Sequence, residues 1–208
     1  MGTAALQLQG SLFAAAETPA FDREFAGRRR HELDHRAWID HQPEWLAGAD
    51  AVFDAVVESA GWRQREMQMY GEMVAQPRLT AFWDLADTPD EIAVVHEMGQ
   101  MLSGRYGVEF TRVGCNLYRD GDDSVAWHGD RVARDLPTAT IAIVSLGARR
   151  PFRFRPADGG PSRGFELGRG DLLVMGGSFQ RTWRHTVPKL RRPVGPRISV
   201  TYRHAYDV

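Results

Sequence analysis

The sequence predicts an α+β, mainly β protein in which N-terminal helices flank a β-sandwich or barrel. Three observations point there. Apolar residues recur at helical spacing within the first hundred residues and at a spacing of two after about residue 108. The later apolar stretches are short and rich in β-branched or aromatic residues, which fit a pleated, half-buried surface. Turn material separates them at intervals: Asp120-Gly121, Asp158-Gly159-Gly160, Gly176-Gly177 and Pro193-Val194-Gly195-Pro196. Helices first and many short strands afterwards is the order of a helix-flanked sandwich or barrel.

Taken along the chain, residues 1–43 read as an arm, with Arg28-Arg29-Arg30 as a solvated basic turn. Residues 50–60 predict a helix with Phe53, Val56, Val57 and Ala60 on one face and Gly61 as its stop. A second helix is marked by Thr88-Pro89-Asp90-Glu91, which fits a capping box with Thr88 as N-cap and Pro89 at the first helical position. Ile92, Val95, Met98, Met101 and Leu102 follow at helical spacing, and Gly104 or Gly107 ends the helix. His96 on this helix is read as a surface or packed histidine. The strand candidates come next. Val113, Cys115 and Leu117 alternate with Gly114, Asn116 and Tyr118, and residues 140–146 form a continuous apolar run. Phe152 and Phe154 alternate with Arg153 and Arg155; residues 172–175, 183–187 and 197–203 complete the set. Cys115 is expected to be a packed thiol without a catalytic role.

A chain of 208 residues suits one domain with a proper core. A single cysteine excludes an internal disulfide framework and a cysteine-based zinc finger. No apolar run approaches the ~20 residues of a membrane span, and no basic region followed by an apolar one marks a secretory leader. The expectation is a soluble, cytoplasmic protein without an evident obligate protein partner. The net charge of −1 hides an asymmetry: the first hundred residues carry 8 basic and 17 acidic side chains, the remainder 18 and 10. A basic C-terminal half is compatible with a polyanionic partner, or simply neutralises the other half within one fold.

The chemistry begins at His128-Gly129-Asp130. In an extended chain residues i and i+2 share a face, so an imidazole and a carboxylate converge. His185, in another candidate strand, supplies a third ligand. Two histidines and one carboxylate leave three positions open on a metal, the arrangement of non-haem Fe(II) oxygenases; the same groups also suit zinc in a hydrolase. In the last strand Arg197, Ser199, Thr201 and Arg203 share one face. An arginine on the inner face of a small β-structure is costly unless it meets an anion. Six residues of strand span about 20 Å, so the two guanidiniums can approach both ends of a short dicarboxylate, with the bidentate pairing that suits carboxylates. Asn116 and Tyr118 offer an amide and a hydroxyl on one face. The alternative is a solvent-facing arginine stripe.

Together these stretches resemble the AlkB family of Fe(II)- and 2-oxoglutarate-dependent dioxygenases, in its nucleic-acid repair branch. The resemblance is carried by Asn116-Leu117-Tyr118-Arg119-Asp120-Gly121, His128-Gly129-Asp130, His185 and the R-x5-R from Arg197 to Arg203. Pro77-Arg78-Leu79-Thr80, Gly170-Asp171-Leu172-Leu173-Val174-Met175 and His185-Thr186-Val187-Pro188-Lys189 add to it, so that it covers about residues 77–208. It implies a double-stranded β-helix (jelly-roll) core over residues 77–208, with residues 1–76 as an N-terminal arm and flanking helix packed on it. It implies that His128, Asp130 and His185 bind Fe(II) as the catalytic centre. Arg197 would hold the far carboxylate of 2-oxoglutarate and Arg203 its near end. Asn116 and Tyr118 would add hydrogen bonds, Ser199 and Thr201 would line the same wall, and O2 would be the third reactant.

The implied reaction is oxidative dealkylation of N-alkylated nucleobases in DNA or RNA, releasing formaldehyde, succinate and CO2. A base inside a duplex cannot reach such a site, so the partner would be single-stranded nucleic acid or a flipped-out base. Phe82 and Trp83 are the candidate lid aromatics, and Arg78 and Arg131 candidate substrate contacts. Arg119, Arg134, Arg149 and Arg150 are further candidates for phosphates. Val132 stands where the best-known repair members carry an acidic residue, and the lid segment before Thr88 is short. These departures motivate the alternative of a 2-oxoglutarate-dependent hydroxylase or demethylase acting on a non-nucleic-acid substrate.

Overall fold

Two antiparallel sheets face each other across an apolar layer. The computed structural model describes residues 17–69, 71–130 and 136–204. In chain order the elements are β1 (Ala20–Phe21), β2 (Arg29–Glu32), β3 (Ala37–Gln42), β4 (Leu46–Ala47), α1 (Ala49–Ser59), β5 (Glu66–Met69), β6 (Glu72–Ala75), β7 (Leu79–Asp84) and α2 (Ala93–Tyr106). They continue with β8 (Arg112–Tyr118), β9 (Val125–His128), β10 (Ile141–Gly147), β11 (Arg150–Pro156), β12 (Arg163–Leu167), β13 (Asp171–Gly177), the single turn α3 (Phe179–Thr182), β14 (Trp183–Val187) and β15 (Arg197–Arg203). The larger sheet has the order β2-β3-β13-β10-β15-β8-β7 and the smaller one β12-β11-β14-β9. From β8 onwards the chain winds between them: β8, β10, β13 and β15 lie in the large sheet, β9, β11, β12 and β14 in the small one. That winding is the jelly roll.

The large sheet is covered on both faces. On one side Val113, Cys115, Leu117, Val144, Val174 and Val200 pack against Phe53 and Val56 of α1 and Val95, Met98 and Leu102 of α2. On the other, Ile39, Ile141, Ile143, Leu173 and Met175 meet Phe152, Phe154 and Val187 of the small sheet. This is why β10 reads as an uninterrupted apolar run: all seven of its residues are buried. Cys115 lies on the helix side, and burial pushes its thiol pKa up.

Two expectations need correction. Residues 1–43 are not simply an arm, because β3 pairs with β13 in the large sheet and buries Ala37 and Ile39 completely. The sheet that carries the site therefore extends beyond residues 77–208. The polar look of this stretch comes from Asp40, which is buried but satisfied. Arg28 donates to it at 2.9 Å, Arg30 at 2.7 and 3.0 Å, and the Tyr106 hydroxyl at 3.0 Å. Arg28 and Arg30 thus serve as counterions and not as a solvated turn. The second correction concerns Thr88. Its hydroxyl donates to the Leu85 carbonyl (2.7 Å) and accepts from the Trp83 indole (3.1 Å). It closes the turn before it and does not cap the helix after it; a 3-10 turn spans Asp90–Ile92 and α2 starts at Ala93. The helix ends at Gly107, which takes the left-handed conformation (φ 62°) that glycine tolerates without cost. No helix among the described residues is long and apolar enough to cross a membrane.

His41 of β3 makes a pH prediction. Its ring is half-buried against Phe165, 4.5 Å between centroids, and its Nε2 has no partner. Burial lowers its pKa. As pH falls below the unfolded value of about 6.5, the unfolded chain binds a proton that the folded one refuses, so stability falls with pH until the folded pKa is passed. His41→Gln is expected to flatten the decline of Tm between about pH 7 and 5, read by calorimetry. Identical pH slopes in parent and variant would assign the effect elsewhere.

Candidate active site

The antiparallel register of β9 and β14 sets His128 directly opposite His185. Their rings lie 4.2 Å apart at 48°. Asp130 lies two residues past the end of the strand, and Gly129 between them is what lets the chain pass so close to α3: a Cβ at that position would sit 2.3 Å from the Gln180 carbonyl oxygen. The Gln180 side chain then accepts the Asp130 amide at 2.9 Å and fixes the turn against α3. The ligand atoms of His128, Asp130 and His185 all lie within 4.8 Å of one another.

Hydrogen bonding orients His128 and Asp130. The His128 Nδ1 donates to the Ala126 carbonyl (2.8 Å), which aims its Nε2 at the cluster, 3.8 Å from Asp130 Oδ1. A second partner that sets the tautomer in this way is common for metal-binding histidines. Phe152 stacks on His185 at 5.3 Å. Burial, with His128 alongside, lowers the His185 pKa to about 3, keeping the imidazole neutral. Burial alone would raise the Asp130 pKa, but Arg203 and the two imidazoles outweigh it and hold it at about 2. Arg203 bonds both carboxylate oxygens, at 3.2 and 3.4 Å. One carboxylate and two imidazoles make up the donor set that suits Fe(II).

The facing wall comes from the large sheet. There Arg197 pairs with Tyr118 and Ser199 with Asn116 across β15 and β8. The alternation read from the sequence therefore places Arg197, Ser199, Thr201 and Arg203 on the inner face. Arg197 is buried, with its Nε donating to Ser145 Oγ at 2.8 Å and its Nη1 lacking a partner. Its guanidinium carbon lies 5.5 Å from the Tyr118 ring centre. Burial lowers its pKa to about 10, although Tyr118 opposes this. An enclosed guanidinium with an orphaned N–H is a receptor for an anion, so the residues fit a carboxylate-bearing co-substrate. Ser199 and Thr201 face each other at 3.3 Å. Asn116 accepts from Arg78 Nε at 2.9 Å, and Arg78 also donates to the Ser124 carbonyl at 3.3 Å.

The lid candidates divide. Phe82 is 53% exposed and pairs with Gly114 at the sheet edge. A Cβ on Gly114 would lie 2.8 Å from Arg203 Nη1 and 2.9 Å from Phe82 Cε1, so Phe82 borders the cluster through Arg203. Trp83 does not. It points to the other face, packs against the helix-side core and donates to Thr88, because neighbouring strand residues alternate sides. Arg150 is likewise no phosphate contact, being fully buried, and Arg119 is engaged with Asp123 at 2.7 and 2.9 Å. Arg131, Val132 and Arg134 lie outside the described residues. Sequence reasoning missed Gln180, Ser145 and Phe152. No motif marks them, since each acts only through a neighbour that the fold supplies.

A family model for the 2OG-Fe(II) oxygenase superfamily matches residues 80–203. The chain is 35% identical over 180 residues to the alpha-ketoglutarate-dependent dioxygenase alkB homolog 3 of Bos taurus, covering 77% of this chain and 63% of that protein. It is 31% identical over 179 residues to the DNA oxidative demethylase ALKBH2 of Homo sapiens, covering 76% of this chain and 69% of that one. The chain thus spans 63% of the length of the first of these relatives. Among solved structures, OsALKBH1 superposes with a TM-score of 0.51 at 13% identity, covering 85% of this chain and all of that one. A Trichoplax adhaerens prolyl hydroxylase in complex with a hypoxia inducible factor peptide superposes with 0.54 at 11%, covering 74% and 77%. At such identities these two speak for the fold alone. The matched segment takes in more than half of the chain and every strand of the jelly roll, so the protein belongs to the 2OG-Fe(II) oxygenase superfamily and, within it, to the AlkB family.

Proposed function

We propose that the protein is an Fe(II)- and 2-oxoglutarate-dependent dioxygenase that removes N-alkyl groups from nucleobases in DNA or RNA. The observation that carries this is the convergence of His128, Asp130 and His185 opposite a buried Arg197 whose Nη1 has no partner. The relatives named alkB homolog 3 and DNA oxidative demethylase support the choice of substrate.

In this reading His128, Asp130 and His185 hold the iron, with Arg203 orienting the Asp130 carboxylate. Arg197 takes the far carboxylate of 2-oxoglutarate, and Asn116, Tyr118, Ser199 and Thr201 line the pocket between. When bound, the iron, 2-oxoglutarate and O2 together supply an oxidation that hydroxylates the N-alkyl carbon while the 2-oxo acid becomes succinate and CO2. The N-hydroxymethyl product of a methylated base then breaks its C–N bond, releasing formaldehyde and returning a proton to the base nitrogen. The Phe152 and Phe179 rings pack around His185 and keep water from its side of the cluster. The target base must be unpaired or flipped to enter, and Phe82 with Arg78 stands at the edge where it would arrive.

The test is formaldehyde and succinate release from oligonucleotides carrying 1-methyladenine, 3-methylcytosine or etheno adducts, with iron and 2-oxoglutarate present. Release in step with repair is the expected result. Succinate formation with no acceptance of any alkylated DNA or RNA would turn the reading to a non-nucleic-acid substrate. Absence of succinate under all conditions would remove the oxygenase.

A further inference from the structure

Two arginines are among the largest fully enclosed side chains of the described residues, and both lie against Tyr118. The guanidinium carbon of Arg197 is 5.5 Å from that ring centre and that of Arg150 is 5.6 Å. Neither forms an ion pair among the described residues. Arg197 donates Nε to Ser145 and keeps Nη1 unpartnered. Arg150 donates Nη1 to the Asp120 carbonyl (2.6 Å) and Nη2 to the carbonyls of Asp123 and Pro188 (both 2.8 Å), while its Nε has no partner. A buried guanidinium without an anion is costly, and two around one phenol repel each other. The proposed co-substrate accounts for Arg197. It leaves Arg150 unexplained.

The three carbonyls that Arg150 gathers belong to the two segments leaving the pocket. Asp120 and Asp123 lie between β8, which carries Asn116 and Tyr118, and β9, which carries His128. Pro188 follows β14, which carries His185. The same segments are joined by the Leu190 amide donating to Gly121 O at 2.8 Å, so closely that a Cβ on Gly121 would sit 2.5 Å from the Leu190 carbonyl oxygen. Only a planar, forked donor reaches three carbonyls in one fan; an ammonium is a compact point charge and matches this geometry poorly.

We propose that Arg150 is a positioning residue of the co-substrate pocket: it ties the segments after β8 and β14 together and sets a second buried positive charge beside Arg197, so that a dicarboxylate 2-oxo acid is held in preference to a monocarboxylate one. The inference rests on the reading of the site as a 2-oxoglutarate pocket. A purely structural Arg150 would affect melting temperature without discriminating between the two classes of acid.

The experiment is calorimetric titration of the full chain, loaded with Mn(II), with 2-oxoglutarate and separately with 2-oxobutanoate. It compares the parent with Arg150→Lys and Arg150→Gln. Loss of charge-assisted contacts is expected to weaken 2-oxoglutarate binding about tenfold in Arg150→Gln, with Arg150→Lys between it and the parent, while 2-oxobutanoate binding stays nearly constant. A folded Arg150→Gln that binds 2-oxoglutarate like the parent, or that loses both acids equally, overturns the inference alone. A parent that binds no 2-oxoglutarate removes the reading of the site and this inference with it. A second measurement needs no variant. In the parent, 2-oxoglutarate is expected to slow hydrogen exchange at the amides of residues 119–124 and of Leu190. Unchanged exchange there counts against the tie that Arg150 makes, and this decides the matter if neither variant folds.

Discussion

Asp130→Ala is expected to lower turnover by more than about a hundredfold, the upper end of what losing even a supporting partner of a metal ligand costs. Two effects act together. In the proposed reading the variant loses the one anionic ligand of the cluster, and Arg203 loses the carboxylate it bonds at 3.2 and 3.4 Å. A cation added to the variant would meet two imidazoles and the Arg203 guanidinium, whose positive charge is no longer balanced by the carboxylate and repels it. The readouts are iron content after reconstitution and succinate formation. Full iron occupancy with parent-like turnover would show that Asp130 is not a ligand. Asp130→Asn separates the two effects, since it keeps the shape while removing the charge.

Arg197→Met is expected to raise the 2-oxoglutarate requirement by about two to three decades, because breaking a buried ion pair costs ~3–5 kcal/mol and each ~1.4 kcal/mol is a factor of ten. Iron binding should persist, since the Arg197 side chain bonds Ser145 and not the three residues proposed to hold the metal. The same substitution carries an opposite expectation for stability. Without co-substrate, Arg197 is a buried charge that donates to Ser145, lies beside the Tyr118 ring and keeps an unpartnered Nη1. Replacing such a charge by an apolar side chain of similar volume is often neutral or stabilising. Arg197→Met should therefore melt at or above the temperature of the ligand-free parent, yet gain nothing when 2-oxoglutarate is added. Calorimetric titration and melting curves measure both. A variant that titrates 2-oxoglutarate like the parent would mean that the carboxylate is held elsewhere.

These two residues also show how the sequence could be read. The two-residue repeat of a strand pairs Arg197 with Arg203 and, read from the sequence, His128 with Asp130, although β9 ends at His128 and Gln180 holds Asp130 beyond it. Local periodicity is enough to group such residues in pairs. It does not say which side is inside. For Arg197 the inner side was inferred from residue chemistry. For Phe82 and Trp83 the same rule guarantees that only one of the two borders the site, and nothing in their order says which. Thr88 carries a complete capping signal, yet its hydroxyl is taken by Leu85 and Trp83, which the fold places within reach. Asp40 and His41 made β3 look like surface, because Arg28, Arg30 and Tyr106, which satisfy Asp40, and Phe165, which packs on His41, all come from other elements of the fold.

What the amino-acid sequence determined alone was the class of fold, the positions of α1 and most jelly-roll strands, and the residue types assembled for a metal and a dicarboxylate. Those follow from spacing and side-chain chemistry, which are properties of short stretches. What only the tertiary structure decided was enclosure: that β3 joins the large sheet, that Arg150 is sealed among three carbonyls, that Gln180 steadies the turn at Gly129, and that Phe82 borders the cluster while Trp83 does not. Burial depends on which surfaces meet across the sandwich, and that pairing involves residues far apart in the chain, beyond the reach of any local pattern.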